Sequence, residues 1–130
     1  GGRMAMVLPS GILGNEREAY LRQYIQDKGN LFAIVQLPFE TFSPNVTINT
    51  SVLFIQKGKS DKKNVFISIN EHCGHDKKGR PTEKDDLPLV ADFYKNNKSN
   101  GITFSSTSQI WKIILSQNGI SKSMWTILIK

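Results

Sequence analysis

Apolar and polar positions alternate along this chain with several different periods, and each predicts an element. Arg3-Met4-Ala5-Met6-Val7-Leu8 runs between Gly1-Gly2 and Pro9-Ser10-Gly11, which predicts a buried strand bounded by turns. Asn15 can cap a helix, with Glu18 three residues on as in a capping box. Tyr20, Leu21, Tyr24, Ile25 and Lys28 then recur at helical spacing as a buried stripe, opposite Glu16, Arg17, Arg22, Gln23 and Gln26. Gly29 suits the position just past the helix end. Leu31-Phe32-Ala33-Ile34-Val35 is continuous rather than alternating, the mark of a strand covered on both faces. Strand, helix and strand in this order predict a βαβ unit with a parallel pair and a right-handed crossover.

Two more apolar runs follow, Ser51 to Ile55 and Asn64 to Ile69. The eight polar residues from Gln56 to Lys63 are too few for a crossover helix, so these runs are expected to pair as an antiparallel hairpin. Residues 71–85 read as a polar loop. Leu87 to Tyr94 reads as a helix started by Asp85-Asp86, with Pro88 in its first turn. After a polar break at residues 96–100, Ser108 caps an expected helix, Gln109 to Gln117, carrying Ile110, Ile113 and Ile114, which Gly119 ends. Met124 to Ile129 is apolar and has no assigned element.

The chain's 130 residues are one domain's worth, and a 38% hydrophobic share fits a folded core. No apolar run approaches the roughly 18 residues of a membrane span, and the start lacks a signal-peptide layout. Cys73, the single cysteine, has no disulfide partner within the chain, which fits a reducing cytoplasm. Gly1 is not an initiator methionine, so the chain is expected to be processed or a piece of a longer protein.

Charge changes the picture. The net charge is +6, and residues 57–85 hold eight Lys/Arg against five acids. From Phe93 onward there are five lysines and no acid. Such asymmetry suits a polyanion such as nucleic acid, or else a basic solvated surface. Lys57, Lys59, Lys62, Lys63, Lys77, Lys78 and Arg80 are the candidate contacts to a DNA backbone.

Most other chemistry reads poorly. His72-Cys73-Gly74-His75-Asp76 puts all its candidate metal ligands within five residues and lacks a second pair, so a polar loop is the better reading and no metal is expected. No phosphate-binding glycine motif occurs, and two histidines in one loop make no Ser-His-Asp constellation. Asp85-Asp86 is explained by helix capping. No catalytic residue is assigned. The segment from Leu37 to Thr50 offers Phe39 and Phe42, two prolines and several hydrogen-bonding side chains at the carboxyl end of a strand, where α/β sheets bind ligands. An aromatic wall there suits a flipped base; the alternative is that both rings plug the core.

The order of these motifs carries a resemblance. Gly1 to Leu13 (GGRMAMVLPSGIL), a helix, Leu31 to Phe42 (LFAIVQLPFETF), Thr50 to Lys57 (TSVLFIQK) and Gly74 to Pro81 (GHDKKGRP) together resemble the N-6 adenine-specific DNA methylase family, above all the modification subunits of type I restriction–modification systems. The resemblance implies an α/β fold: the C-terminal strands of a Rossmann-like methyltransferase sheet, closed by an antiparallel hairpin over residues 51–69. It implies methyl transfer from S-adenosylmethionine to adenine in DNA, and specificity and restriction subunits as partners. Phe42 would lie beside the flipped adenine, with Pro9, Ser10 and Gly11 on the turn bordering the pocket. The family's cofactor loop and its Asn/Asp-Pro-Pro-Phe/Tyr tetrapeptide are absent; Pro44-Asn45 has the reverse order. Residues 1–95 therefore read as the C-terminal part of the catalytic domain, inactive alone, and 96–130 as a helical tail of unknown role. A half sheet is expected to self-associate, with no membrane involved. The alternative is a small basic nucleic-acid-binding or assembly module without catalysis.

Overall fold

The computed structural model describes residues 1–58 and 65–96, and the backbone of 125–128. The continuous apolar run becomes β2 (Gly29–Gln36), with strands on both edges. β1 (Arg3–Pro9) and β3 (Thr50–Lys57) lie on one side, and β4 (Phe66–Ile69) lies on the other. Downstream come β5 (Cys73–His75), β6 (Pro81–Asp85), helix α3 (Leu87–Lys95) and β7 (Trp125–Leu128). The main sheet has the order β1-β3-β2-β4-β7.

That order corrects two expectations. β1 and β2 run in the same direction but are not a hydrogen-bonded pair. β3 lies between them, antiparallel to both, with Val7 and Val35 each opposite Val52. Ser51, Leu53 and Ile55 are buried and Val52 and Phe54 half-buried, and insertion between two strands pairs both hydrogen-bonding edges of the run. Nor do β3 and β4 form a hairpin. Both edges of β3 are taken, so β4 joins the far edge of β2 in parallel, from Ala33 opposite Phe66 to Gln36 opposite Ile69.

β1 is also not buried. It has one neighbour, and Met4, Met6 and Val7 stand 37–50% exposed. Between β1 and the helix the chain first makes α1 (Ser10–Gly14) and a 3₁₀ turn (Glu16–Glu18), so α2 starts only at Ala19 and runs to Lys28. The expected capping box is not formed, and Asn15 makes no side-chain cap bond. Arg22 instead donates to the carbonyls of Ile12 (3.0 Å) and Asn15 (2.8 Å), bracing this start from inside α2. Tyr20 and Tyr24 are 69% and 62% exposed, so the buried stripe reduces to half-buried Leu21 and Ile25. Gly29 does not cap in a left-handed turn. It opens β2 in extended geometry, where a Cβ would sit 2.6 Å from Ile55 Cγ2.

Alternation lets one run serve two cores, and the register shift at Phe32, with Leu31 opposite Ile55 and Ala33 opposite Phe54, sets Leu31 on the same side as Ile34. Leu31 and Ile34 pack with Leu13, Leu53, Ile55 and Ile67, against Ile25 of α2. Ala33 and Val35 pack with Phe66 and Val90, against Phe93 of α3. Phe66 and Tyr94 meet edge-on at 5.3 Å. The α3 expectation holds, with Pro88 in the first turn and Asp85 Oδ1 accepting from Leu87 N–H (3.1 Å). The expected helix Gln109–Gln117 lies outside the described residues. Residues 125–128 form a strand antiparallel to β4.

The 71–85 loop expectation is corrected as well: β5 and β6 pair as a two-stranded antiparallel ribbon. Its turn is built by Asp76, whose Oδ1 accepts from Lys78 N–H (2.8 Å) and Arg80 N–H (2.9 Å). Gly79 closes the turn at φ +78°, a left-handed conformation that glycine adopts at no steric cost.

Candidate nucleic-acid and base-binding site

The carboxyl ends of β1 and β2 and the amino end of β3 meet at one end of the sheet. Ser10 N–H donates to Asn49 O (2.8 Å), and Leu37 N–H donates to Thr50 O (2.9 Å). Ser10 Oγ and Ser51 Oγ share a buried hydrogen bond of 3.0 Å. These bonds anchor both ends of the 37–49 loop and join it to the Pro9-Ser10-Gly11 turn. Within the loop, Thr41 N–H donates to Pro38 O (3.1 Å), Ser43 N–H to Glu40 O (2.9 Å) and Val46 N–H to Phe42 O (3.0 Å). Such short turns hold the aromatic segment compact without strand or helix. Phe42 is 41% exposed, so it does not plug the core formed by the described residues; Phe39 is half-buried.

The ribbon lies against this loop. His75 Nε2 is 3.2 Å from Thr41 O, and Lys77 Nζ stands 5.7 Å from the centre of the Phe39 ring, a cation–π distance. A cleft opens between them, lined by Phe39, Asn70, His72, His75, Lys77 and Lys84. Asn70, buried at the end of β4, donates to Gln36 O (2.8 Å) and accepts from Ser68 Oγ (3.0 Å), tying the carboxyl ends of β4 and β2. Thr50 Oγ1, buried at the start of β3, has no partner among the described residues.

Of the candidate cations, Lys77, Lys78 and Arg80 share the ribbon tip, at the aromatic loop's end of the molecule. Arg80 also donates Nε–H to Asp76 Oδ2 (2.7 Å), which fixes its plane while its side chain stays 70% exposed. Lys57 is not part of this group. It ends β3 with its N–H on Gly2 O, and eight strand residues place it about 23 Å from Thr50. Lys59, Lys62 and Lys63 lie outside the described residues. Among the described residues, no three His, Cys, Asp or Glu side chains converge to hold a metal ion. No described helix is long and apolar enough to cross a membrane.

Sequence patterning missed the ribbon, the His75–Thr41 contact and Asn70. One signal was available: Asp76-Lys77-Lys78-Gly79 is an Asp-to-Gly turn, and such turns join antiparallel strands.

The parallel-running β1, β2 and β4 with antiparallel β3 inserted, helices and binding loops at the carboxyl ends define a Rossmann-like α/β sheet. A family model described as N-6 DNA Methylase matches residues 1–123, and the chain belongs to that family. It is 31% identical over 115 residues to the type I restriction enzyme MpnII methylase subunit of Mycoplasma pneumoniae, covering 86% of this chain and 21% of that protein. In structure it is similar to a modification subunit assigned to a type I restriction enzyme from Vibrio vulnificus, with TM-score 0.64, 25% identity, and 77% and 21% of the two chains covered. It is likewise similar to the type I restriction enzyme EcoKI M protein, with TM-score 0.54, 26% identity, and 70% and 21% covered. The chain thus spans about a fifth of the length of each relative.

Proposed function

We propose that this chain is part of an adenine N-6 DNA methyltransferase of a type I restriction–modification system, and that it supplies one wall of the target-base pocket together with contacts to the DNA backbone. The observation that carries this reading is the exposed Phe42 at the carboxyl ends of β1 and β2, in a chain of the N-6 DNA methylase family. A base extruded from the duplex needs an apolar face to stack on, and Phe42 supplies it. Pro9, Ser10 and Gly11 border the pocket, and the Ser10–Ser51 bond holds that turn. Lys77, Lys78 and Arg80 meet phosphates beside it, as positive charge on an exposed turn does.

The methyl donor implied by the family is S-adenosylmethionine. The described residues do not fit it: the turn after β1 leads into a helix of only five residues, and a Cβ on Gly11 would already meet Asn15 Nδ2 at 3.1 Å, so the turn is no open cradle. The donor site and the residues that hold the adenine amino group therefore belong to the rest of the enzyme. The whole protein acts in the cytoplasm with specificity and restriction subunits. A binding module without catalytic lineage is disfavoured by the family match.

The test is methyl transfer onto DNA. Full-length enzyme with its specificity subunit should transfer labelled methyl to adenine. The isolated 130-residue chain should transfer none and give no saturable heat with S-adenosylmethionine. Saturable binding by the isolated chain overturns this division of the site.

A further inference from the structure

His75 faces two carbonyl oxygens. Its Nε2 lies 3.2 Å from Thr41 O, 34 residues away in sequence, and its Nδ1 lies 3.0 Å from Asp76 O. Both neighbours are acceptors, so the ring can only donate, and a neutral imidazole donates to one of them at a time. Thr41 immediately precedes Phe42. Its loop is anchored at Leu37 and Asn49, and between those ends His75 reaches the loop's backbone from outside it. The ribbon carrying His75 is itself fixed. Asp86 Oδ2 accepts from Glu71 N–H and His72 N–H (both 2.9 Å), and Asp86 N–H donates back to His72 O (2.9 Å). Lys77 over Phe39 is a second contact between ribbon and loop.

The geometry points to His75 as a positioning residue: by donating Nε2–H to Thr41 O, it fastens the 37–49 loop to the ribbon and holds Phe42 where a base can stack. This rests on the reading of Phe42 as the stacking aromatic. It adds that the phosphate-facing turn and the base-facing ring form one mechanical unit.

Amide side chains separate the two ring nitrogens, because Gln places its nitrogen near the position of Nε2 and Asn near that of Nδ1. In the full-length enzyme, His75→Ala and His75→Asn should raise amide exchange across residues 38–46 about tenfold, the worth of one net hydrogen bond. They should lower kcat for methylation by a similar factor and leave the affinity for non-specific DNA unchanged. His75→Gln should restore both readouts. Unchanged exchange in His75→Ala, or His75→Asn performing as well as wild type while His75→Gln does not, overturns the proposal. Phe42→Ala serves as the reference arm. If that variant methylates at the wild-type rate, the stacking reading fails, while the exchange pattern still reports on the His75 anchor.

Discussion

Ser10, which opens α1, and Ser51, the second residue of β3, lie 41 residues apart and bond through their buried hydroxyls at 3.0 Å. The pair joins the turn after β1 to the second residue of β3. Each hydroxyl is the other's partner beneath the anchored end of the 37–49 loop.

Ser51→Ala should therefore destabilise the protein by about 1–3 kcal/mol, because it leaves the Ser10 hydroxyl buried and unpaired. Adding Ser10→Ala should recover part of that loss. Urea denaturation of the three variants checks this; a double variant as unstable as the sum of the singles would show that the hydroxyls act separately.

Phe42→Ala should slow methylation by roughly ten- to a hundredfold, since stacking a base on an aromatic is worth about 1–3 kcal/mol. The ring is 41% exposed, so stability should fall by about 1 kcal/mol, well short of the roughly 3–5 kcal/mol of a fully buried Phe→Ala change. Melting temperature and methylation rate of the full-length variant decide together. A large drop in melting temperature with a normal rate would return Phe42 to a core role.

Replacing both Lys77 and Lys78 by alanine should weaken DNA binding uniformly across sequences. The slope of log K against log salt should shrink by roughly 0.9 for each phosphate that the ribbon tip no longer neutralises. Fluorescence anisotropy over a range of salt concentrations measures it. An unchanged slope would mean that the ribbon tip does not touch DNA.

Asp76 provides a pH test. The Arg80 backbone N–H, then the Arg80 side chain and the Lys78 backbone N–H, hold its carboxyl below the ordinary value of about 3.9. A depressed carboxyl stabilises the turn at pH values above that ordinary value, and the contribution is lost as pH falls through the folded-state value. The amide resonances of Lys78 and Arg80 should thus shift together with a midpoint below about 3.9. A midpoint above it would contradict the hydrogen-bonded turn.

The isolated chain should self-associate through β1. Only one edge of that strand is paired among the described residues, and Met4, Met6 and Val7 expose apolar surface. Light scattering should give a dimer or larger, and Met6→Lys with Val7→Lys should shift it toward monomer. A wild-type chain that stays monomeric at high concentration would refute the exposed-edge account.

Local pattern carried much of this molecule. The unbroken apolar run at 31–35 announced a central strand, and Pro88 behind Asp85-Asp86 announced α3. Strand order was not legible, because Ser51–Ile55 pairs equally well in a hairpin with β4 or between β1 and β2. What decides it is the pair of ladders that β3 forms with β1 and β2, a non-local pairing that no local pattern encodes. Tyr20 and Tyr24 had helical spacing yet stand in solvent, since α2 packs through Ile25 and braces its start with Arg22. In the candidate site, Phe42 and the Pro9–Gly11 turn were visible as an aromatic and a strand-end turn. His75 was not, because its significance depends on a carbonyl contributed from 34 residues away.

The place of β3 between its two predecessors also orders events in time. β1 and β2 are made before β3, yet neither hydrogen-bonds the other, and Gln56 and Lys57 must be made before the last rungs of the two ladders, at Arg3 and Gly29, can close. Until then the newborn chain holds two apolar strands and a helix with nothing to align them. Non-local pairing of this kind is slow and leaves hydrophobic edges exposed meanwhile. The strand that anchors the 37–49 loop is thus also the clasp that first aligns β1 with β2.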